Sequence, residues 1–155
     1  MQVLVIGAGE RVDAELASVS RGDFDVVIGV NQAAIMYRPV DIHMTLHPER
    51  FARRKIARMV SHRDYPGVDE VFDYAWRPGG RSGSSGLFAV KYALEKLRAD
   101  SIILAGIGMD GKHVYSTTQW PQADGFRKTW LEVAPRLRGR VHSLGGWTAT
   151  LLNEV

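Results

Sequence analysis

A run of serines and glycines stands just ahead of a helical pattern in RPGGRSGSSGLFAVKYALEKL, residues 77–97. Apolar residues recur at helical spacing from Leu87 to Leu97, so the pattern predicts a helix over 84–98 with a serine cap. The first amides of a helix lack partners within it and carry about half a positive charge. Glycines permit close approach and hydroxyls add donors, so the stretch suits a phosphate or carboxylate. The alternative is a solvent-exposed loop. The predicted anion-binding residues are Ser82, Gly83, Ser84 and Ser85.

Glycines and polar side chains also follow other apolar runs that resemble buried strands. The carboxyl ends of parallel strands share one edge of a sheet, where ligands bind. A dinucleotide fingerprint is not met, because GAGERV has Val12 at the third glycine position and the second strand ends in an amide. The Walker phosphate-binding pattern is absent as well. The residues predicted to line a nucleotide site at this edge are Gly7, Ala8, Gly9, Asn31 and Gly106, with Asp110 as a ribose or sugar ligand.

Two histidines and one aspartate are candidate catalytic residues. His47 precedes Pro48 at a strand end, His113 lies in the loop after Asp110, and each histidine could transfer a proton. The alternatives are a surface histidine for His47 and a turn-forming carboxylate for Asp110. His43 and His47 would lie about 13 Å apart on a strand, too far to share one ion. The chain has no cysteine, so no metal site is expected.

The elements that would position these residues alternate between strand and helix patterns. The fold class predicted is α/β: a Rossmann-like open, mostly parallel sheet of about five to six strands, with helices on both faces. All 155 residues are expected to form a single domain. The predicted strands are 2–9, 25–31, 41–47, 69–74, 101–108 and 140–144. The predicted helices are 10–20, 48–60, 84–98, 126–137 and 147–153, with a loop over 109–125.

Composition narrows the class of protein. Hydrophobic residues make up 45% and charged residues 24% of the chain, as in ordinary globular proteins. No apolar run approaches the roughly 20 residues that cross a bilayer, and no signal peptide is evident, so a cytoplasmic location without membrane association is expected. The formal charge of +3 suits an anionic ligand but does not by itself indicate nucleic acid. Six basic residues against one Glu in 49–63 leave a nucleic-acid-binding helix over 50–63 as an alternative.

The segments VLVIGAGE, DVVIGVN and SGSSGLFAVKYALEKLRADSIILAGIGMD resemble the bacterial sialyltransferases of glycosyltransferase family 42 and the related archaeal-type hydroxymethyl-dihydropterin diphosphokinases. TLHPE and the pattern of Ser143–Leu152 are similar to small phage-encoded relatives. The resemblance implies a nucleotide substrate, of the CMP type in the sialyltransferases. It also implies a reduced lid over 111–125, with His113 and Tyr115 as its counterparts of the family's histidine base and tyrosines. The residues that it places at the nucleotide are Gly7, Gly9, Asn31, Ser82, Gly83 and Asp110.

Three functions remain open from the sequence. The first is an enzyme of the transferase type, moving a glycosyl or diphosphoryl group from a nucleotide or nucleotide sugar. The second is a module that binds or sequesters a nucleotide without turnover. The third is a nucleic-acid accessory protein that uses the basic segment. The sequence leaves the identity of any cofactor and a homo-oligomeric state open.

Overall fold

Seven parallel strands form one open sheet in the computed structural model, which describes residues 1–153. Every strand pair is parallel, and the spatial order is β5-β4-β3-β2-β1-β6-β7. The α/β, Rossmann-like class is confirmed, with one strand more than predicted. Glu154 and Val155, part of the predicted single domain, lie outside the described residues. The strands are β1 (Gln2–Ile6), β2 (Val26–Val30), β3 (Ile42–Met44), β4 (Arg58–Ser61), β5 (Glu70–Val71), β6 (Ser101–Ala105) and β7 (Val141–Ser143).

Helices cover both faces of this sheet, which explains why its inner strands are continuous apolar runs. Val3 and Val5 of β1 pack into one hydrophobic cluster, whereas Leu4 and Ile6 pack into a second cluster on the other face. Helix α4 (Ser85–Glu95) is buried along almost its whole length, with ten of its eleven residues buried. The helices are α1 (Val12–Ala17), α2 (Gln32–Met36), α3 (Pro48–Phe51), α4 (Ser85–Glu95), α5 (Ala123–Leu137) and α6 (Gly146–Leu152).

The predicted helix over 48–60 is wrong. Helix α3 ends at Phe51, a 3-10 turn covers Ala52–Arg54, and Arg58–Ser61 forms strand β4 beside β3. Three of the six basic side chains are also engaged in ion pairs, namely Lys55 with Asp69, Arg58 with Glu70 and Arg63 with Glu49. Residues 50–63 therefore do not form the arginine-rich helix on which the predicted nucleic-acid function was based.

The other differences concern lengths. The first helix is shorter than 10–20, and β3 is shorter than 41–47. The five-residue helix α2 was not predicted. None of the helices within residues 1–153 is both long and apolar enough to cross a membrane. Single-domain organisation and a cytoplasmic location stay predictions.

Candidate functional site

A cavity of about 460 Å³ opens beyond the carboxyl ends of β1 and β6. From β1 the chain adds β2 to β5 on one side and then returns to place β6 on the other side. The two strands therefore flank the point where the strand order reverses, and ligands of open α/β sheets bind there. We call this space the switch-point cavity. Ten of the predicted site residues line it: Gly7, Ala8, Gly9, Asn31, His47, Ser84, Ser85, Gly106, Asp110 and His113.

The first turn of α4 forms part of the cavity wall through Ser85 and Gly86. These are the first two residues of the helix, so their amides have no acceptor within it. The Ser85 hydroxyl accepts a hydrogen bond from the Leu46 amide at 3.2 Å, which leaves its own proton free to donate. Two amides, a hydroxyl and the positive end of an eleven-residue helix thus meet at one place, as an oxyanion requires.

Ser82 and Gly83 do not line the cavity. Both face the neighbouring helix: the Gly83 carbonyl accepts the indole N–H of Trp130 at 2.7 Å, and the Ser82 carbonyl accepts the Thr129 hydroxyl at 3.5 Å. A Cβ at Gly83 would lie 2.2 Å from the Leu87 side chain. Glycine at position 83 thus serves internal packing rather than the approach of an anion.

Glycines at the ends of β1 and β6 allow these strand ends to touch. A Cβ on Gly7 would lie 2.6 Å from the Gly106 carbonyl oxygen. The Gly9 amide also donates to that oxygen at 2.7 Å. The close strand ends form the floor of the switch-point cavity, so their glycines shape the site through backbone packing.

A buried polar chain fixes Asn31 at the end of β2. The His47 amide donates to Thr45 Oγ1 at 2.9 Å, so the Thr45 hydroxyl directs its proton to Asn31 Oδ1 at 2.7 Å. His43 Nε2 lies 2.9 Å from the Asn31 carbonyl oxygen, and burial lowers the pKa of His43. With its oxygen bound to Thr45, the Asn31 amide keeps two N–H donors for the cavity that it lines.

Backbone strain is concentrated at the same cavity. Four non-glycine residues between 1 and 153 have positive φ, and three of them, Asn31, Ser84 and Met109, line the switch-point cavity. Ser84, for example, has φ 94° and ψ 171°. Such conformations cost about 1–3 kcal/mol each and cluster at functional sites.

Four aromatic side chains form one part of the cavity wall. The His113 ring stacks on Tyr115 at 5.2 Å between centroids, and it lies 5.1 Å from the Trp120 ring, which in turn lies 5.6 Å from Phe126. The Val114 amide donates to the Ala8 carbonyl at 2.7 Å, so this loop crosses the end of β1. Burial lowers the pKa of His113, which is therefore a neutral imidazole near pH 7.

The other two candidate catalytic residues differ in how far they are engaged. The Asp110 carboxylate accepts the Trp147 amide at 2.9 Å and so caps the start of α6. His47 has a side chain that is 47% exposed, and its Nδ1 lies 3.7 Å from a Glu49 oxygen. Asp110 thus has a structural role at the cavity, whereas the His47 ring remains accessible.

Two basic residues that line the cavity are not among the site residues predicted from the sequence. Arg50 and Lys112 line it, and neither forms an ion pair with any residue in the described range. Arg50 falls in the segment that was predicted as a basic helix, and Lys112 follows Asp110 in a loop, where no periodic signal exists. In the described part of the chain, no group of three His, Asp or Glu side chains could hold a metal ion.

Comparison with solved structures identifies two similar chains. One is the crystal structure of a mammalian sialyltransferase, with a TM-score of 0.57. The other is a mammalian sialyltransferase in complex with Gal-beta-1-3GalNAc-ortho-nitrophenol, with a TM-score of 0.58. Each is 16% identical, over 94% of this chain and 69% of the solved one. No protein-family model and no curated protein matches the chain. The chain therefore has a sialyltransferase-like fold, while the relation to the bacterial family and to the diphosphokinases gains no support.

Proposed function

We propose that the chain binds a nucleotide or nucleotide sugar in the switch-point cavity and acts as a glycosyltransferase-like enzyme with a reduced lid. The observation that carries this proposal is the unpaired first turn of α4, which opens into a cavity that also holds two unpaired cations. The volume of about 460 Å³ lies within the roughly 300–1,000 Å³ of small-molecule sites. The sialyltransferase-like fold makes a CMP-type nucleotide the first choice.

The phosphate would bind at the amides of Ser85 and Gly86, with Arg50 and Lys112 supplying countercharge. The amide donors of Asn31 would hold the base or the ribose. The aromatic wall offers an apolar face to the rest of the ligand, because ring faces stack well on nucleobases and sugars. These roles are assigned from the hydrogen-bond donors, the charges and the apolar faces that the residues present to the cavity.

Glycosyl transfer would break the bond between the sugar carbon and the phosphate oxygen and form a bond from that carbon to an acceptor hydroxyl oxygen. The developing phosphate charge is stabilised by the α4 amides and the two cations. A base must take the proton of the acceptor hydroxyl. His113 is one candidate, because burial lowers its pKa and so favours the neutral imidazole that can accept a proton, and the exposed His47 is the second candidate. The bound sugar in the second similar structure makes a galactose-terminated glycan the first acceptor to test.

A second candidate function is nucleotide binding without turnover. The observation that favours it is the engagement of the candidate catalytic groups: Asp110 caps α6, and the His113 ring is packed between Tyr115 and Trp120. On this hypothesis the cavity sequesters its ligand, and residues 111–122 serve as a wall rather than as a lid.

Thermal unfolding with CMP, CMP-sialic acid, UDP-sugars, ATP and GTP tests the proposal. Ligand at 100 times its Kd should add about 2.7 kcal/mol of stability. Lys112→Gln should weaken CMP binding about threefold to tenfold by removing one countercharge, whereas Arg53→Gln, which removes an equal charge outside the cavity, should not. Absence of a shift with every nucleotide would refute nucleotide binding. Release of CMP with a glycosylated acceptor distinguishes the enzyme from a binding module, which returns its ligand unchanged.

A further inference from the structure

A second cavity lies at the opposite edge of the sheet from the first. It measures about 270 Å³ and is lined by Trp76, Leu94, Glu95, Arg98, Arg136 and Arg140. Leu94 and Glu95 form the last turn of α4, whose first turn opens into the switch-point cavity. An eleven-residue helix is about 16 Å long, so the two cavities are separate. We call this one the arginine pocket.

The three arginines of the pocket lack acidic partners. Within residues 1–153 neither Arg98 nor Arg140 makes a side-chain hydrogen bond or an ion pair. Arg136 lies 5.2 Å above the Trp76 ring, and its guanidinium donates to the Trp76 carbonyl at 3.5 Å. The one lining carboxylate, Glu95, lies 4.0 Å from Lys91 outside the pocket. Three planar donor groups thus meet in one concavity with most of their hydrogen-bonding capacity unused.

The charged groups that line the pocket, together with the two helix ends beside it, sum to a positive charge. Three guanidinium groups face the Glu95 carboxylate and the carbonyl ends of α4 and α5. Each helix end is equivalent to about half a negative charge, so about one net positive charge remains. Balancing the two helix ends and the Glu95 carboxylate takes about two positive charges, so about one guanidinium charge of the three is in excess. This excess positive charge favours the binding of an anion in the pocket.

Arg98 and Arg140 lie on backbone segments that adjoin α4 and β6. Arg98 has φ 59°, and it is the fourth non-glycine residue with positive φ in the described chain. At such a position glycine or asparagine is the less strained choice. The Arg140 carbonyl accepts the Ile102 amide at 2.8 Å, which joins it to β6.

We propose that the arginine pocket is a second anion site, which binds a diphosphate group. Guanidinium groups bind phosphate oxygens through paired, parallel hydrogen bonds. Three such groups in about 270 Å³ exceed what a single phosphate can occupy and match two linked phosphates. The diphosphate is either free or the tail of a nucleoside diphosphate. This site does not depend on the function proposed for the switch-point cavity.

Calorimetric titration of inorganic pyrophosphate at about 50 mM salt, where screening is weak, tests the proposal. Each variant is made in a Lys112→Gln background, because that substitution weakens binding at the first cavity. Arg98→Gln and Arg140→Gln should each weaken pyrophosphate binding about tenfold, a change of 1.4 kcal/mol. Arg53→Gln is the matched control and should leave the affinity unchanged. Equal affinity in all four proteins, or no binding at millimolar pyrophosphate, would overturn the proposal.

A measurement on the unsubstituted protein covers the case in which a variant fails to fold. Pyrophosphate should protect Arg98 and Arg140 from modification by phenylglyoxal, as read by peptide mass spectrometry, while Arg53 reacts as before. The absence of protection would overturn the proposal independently. Repeating the experiment with CDP in saturating CMP separates the sources: protection by pyrophosphate alone indicates the free ion, and protection by both indicates a nucleotide tail.

Discussion

Replacing Thr45 by valine should both destabilise the protein and loosen its candidate nucleotide site. Thr45 is fully buried, and its hydroxyl joins the His47 amide to the Asn31 side chain. Valine has nearly the same shape but no hydroxyl, so no cavity forms and only the two hydrogen bonds are lost. The His47 amide and Asn31 Oδ1 then have no protein partner.

The expected size follows from these two bonds. Each contributes about 0.5–1.5 kcal/mol net, so Thr45→Val should lower the free energy of unfolding by about 1–3 kcal/mol. A loss of about 2 kcal/mol corresponds to a fall in Tm of about 4–8 °C for a chain of this size. The Asn31 amide, no longer held, can rotate and present its oxygen to the cavity. CMP affinity should therefore fall about twofold or more, since twofold is the effect of two equally populated orientations.

Urea unfolding and calorimetric CMP titration measure the two effects. Thr45→Ser is the matched control, because it keeps the hydroxyl and loses only a methyl group, worth about 1 kcal/mol. It should retain the CMP affinity of the unsubstituted protein. The reasoning is refuted if Thr45→Val is as stable as the unsubstituted protein and binds CMP equally well.

Further substitutions and a pH titration test other parts of the account. Lowering the pH from 7 to 5 should reduce the free energy of unfolding, because burial lowers the pKa of His43 and of His113. Below about pH 6.5 these histidines bind protons in the unfolded chain more readily than in the folded one. His43→Gln should make this pH dependence shallower in urea titrations. Gly7→Ala should cost about 2 kcal/mol or more, since its Cβ would lie 2.6 Å from the Gly106 carbonyl oxygen. Gly125→Ala, with nothing within 4 Å, should instead stabilise α5 by about 0.5–1 kcal/mol. Asp110→Ala should lose about 1 kcal/mol as the cap of α6 disappears, whereas Asp110→Asn should keep most of the stability. Scanning calorimetry checks the glycine and aspartate variants. Equal Tm values for the two glycine variants, or for the two Asp110 variants, would contradict the corresponding argument. A free energy of unfolding that does not change with pH would contradict the argument on the buried histidines.

The fold class was predictable because local and global signals agree in the inner strands. β1, β2 and β6 are apolar on both faces and end in glycine or asparagine, which is typical of a parallel sheet covered by helices. The predicted helix over 48–60 was wrong for a physical reason. Arg50, Arg54 and Arg58 have helical spacing, while β4 is only four residues long, and short apolar runs do not distinguish helix from strand.

The site residues that follow strands or begin helices could be predicted from the sequence. Those whose role depends on side-chain packing between elements could not. Asn31 and Ser85 were found because a parallel sheet brings strand ends and helix starts to one edge. The contact of Thr45 with Asn31 depends on the register between β2 and β3, which the sequence does not state. Gly83 shows a second limit: a glycine that admits a ligand and a glycine that admits Leu87 look alike until the partner is placed.

Co-crystallisation with CMP, with the ligand position read from electron density, tests the central claim most directly. The account predicts the phosphate at the first turn of α4, within hydrogen-bond distance of the Ser85 and Gly86 amides, and the nucleoside toward Asn31. Density for CMP elsewhere on the surface, or an empty switch-point cavity at millimolar CMP, would contradict it.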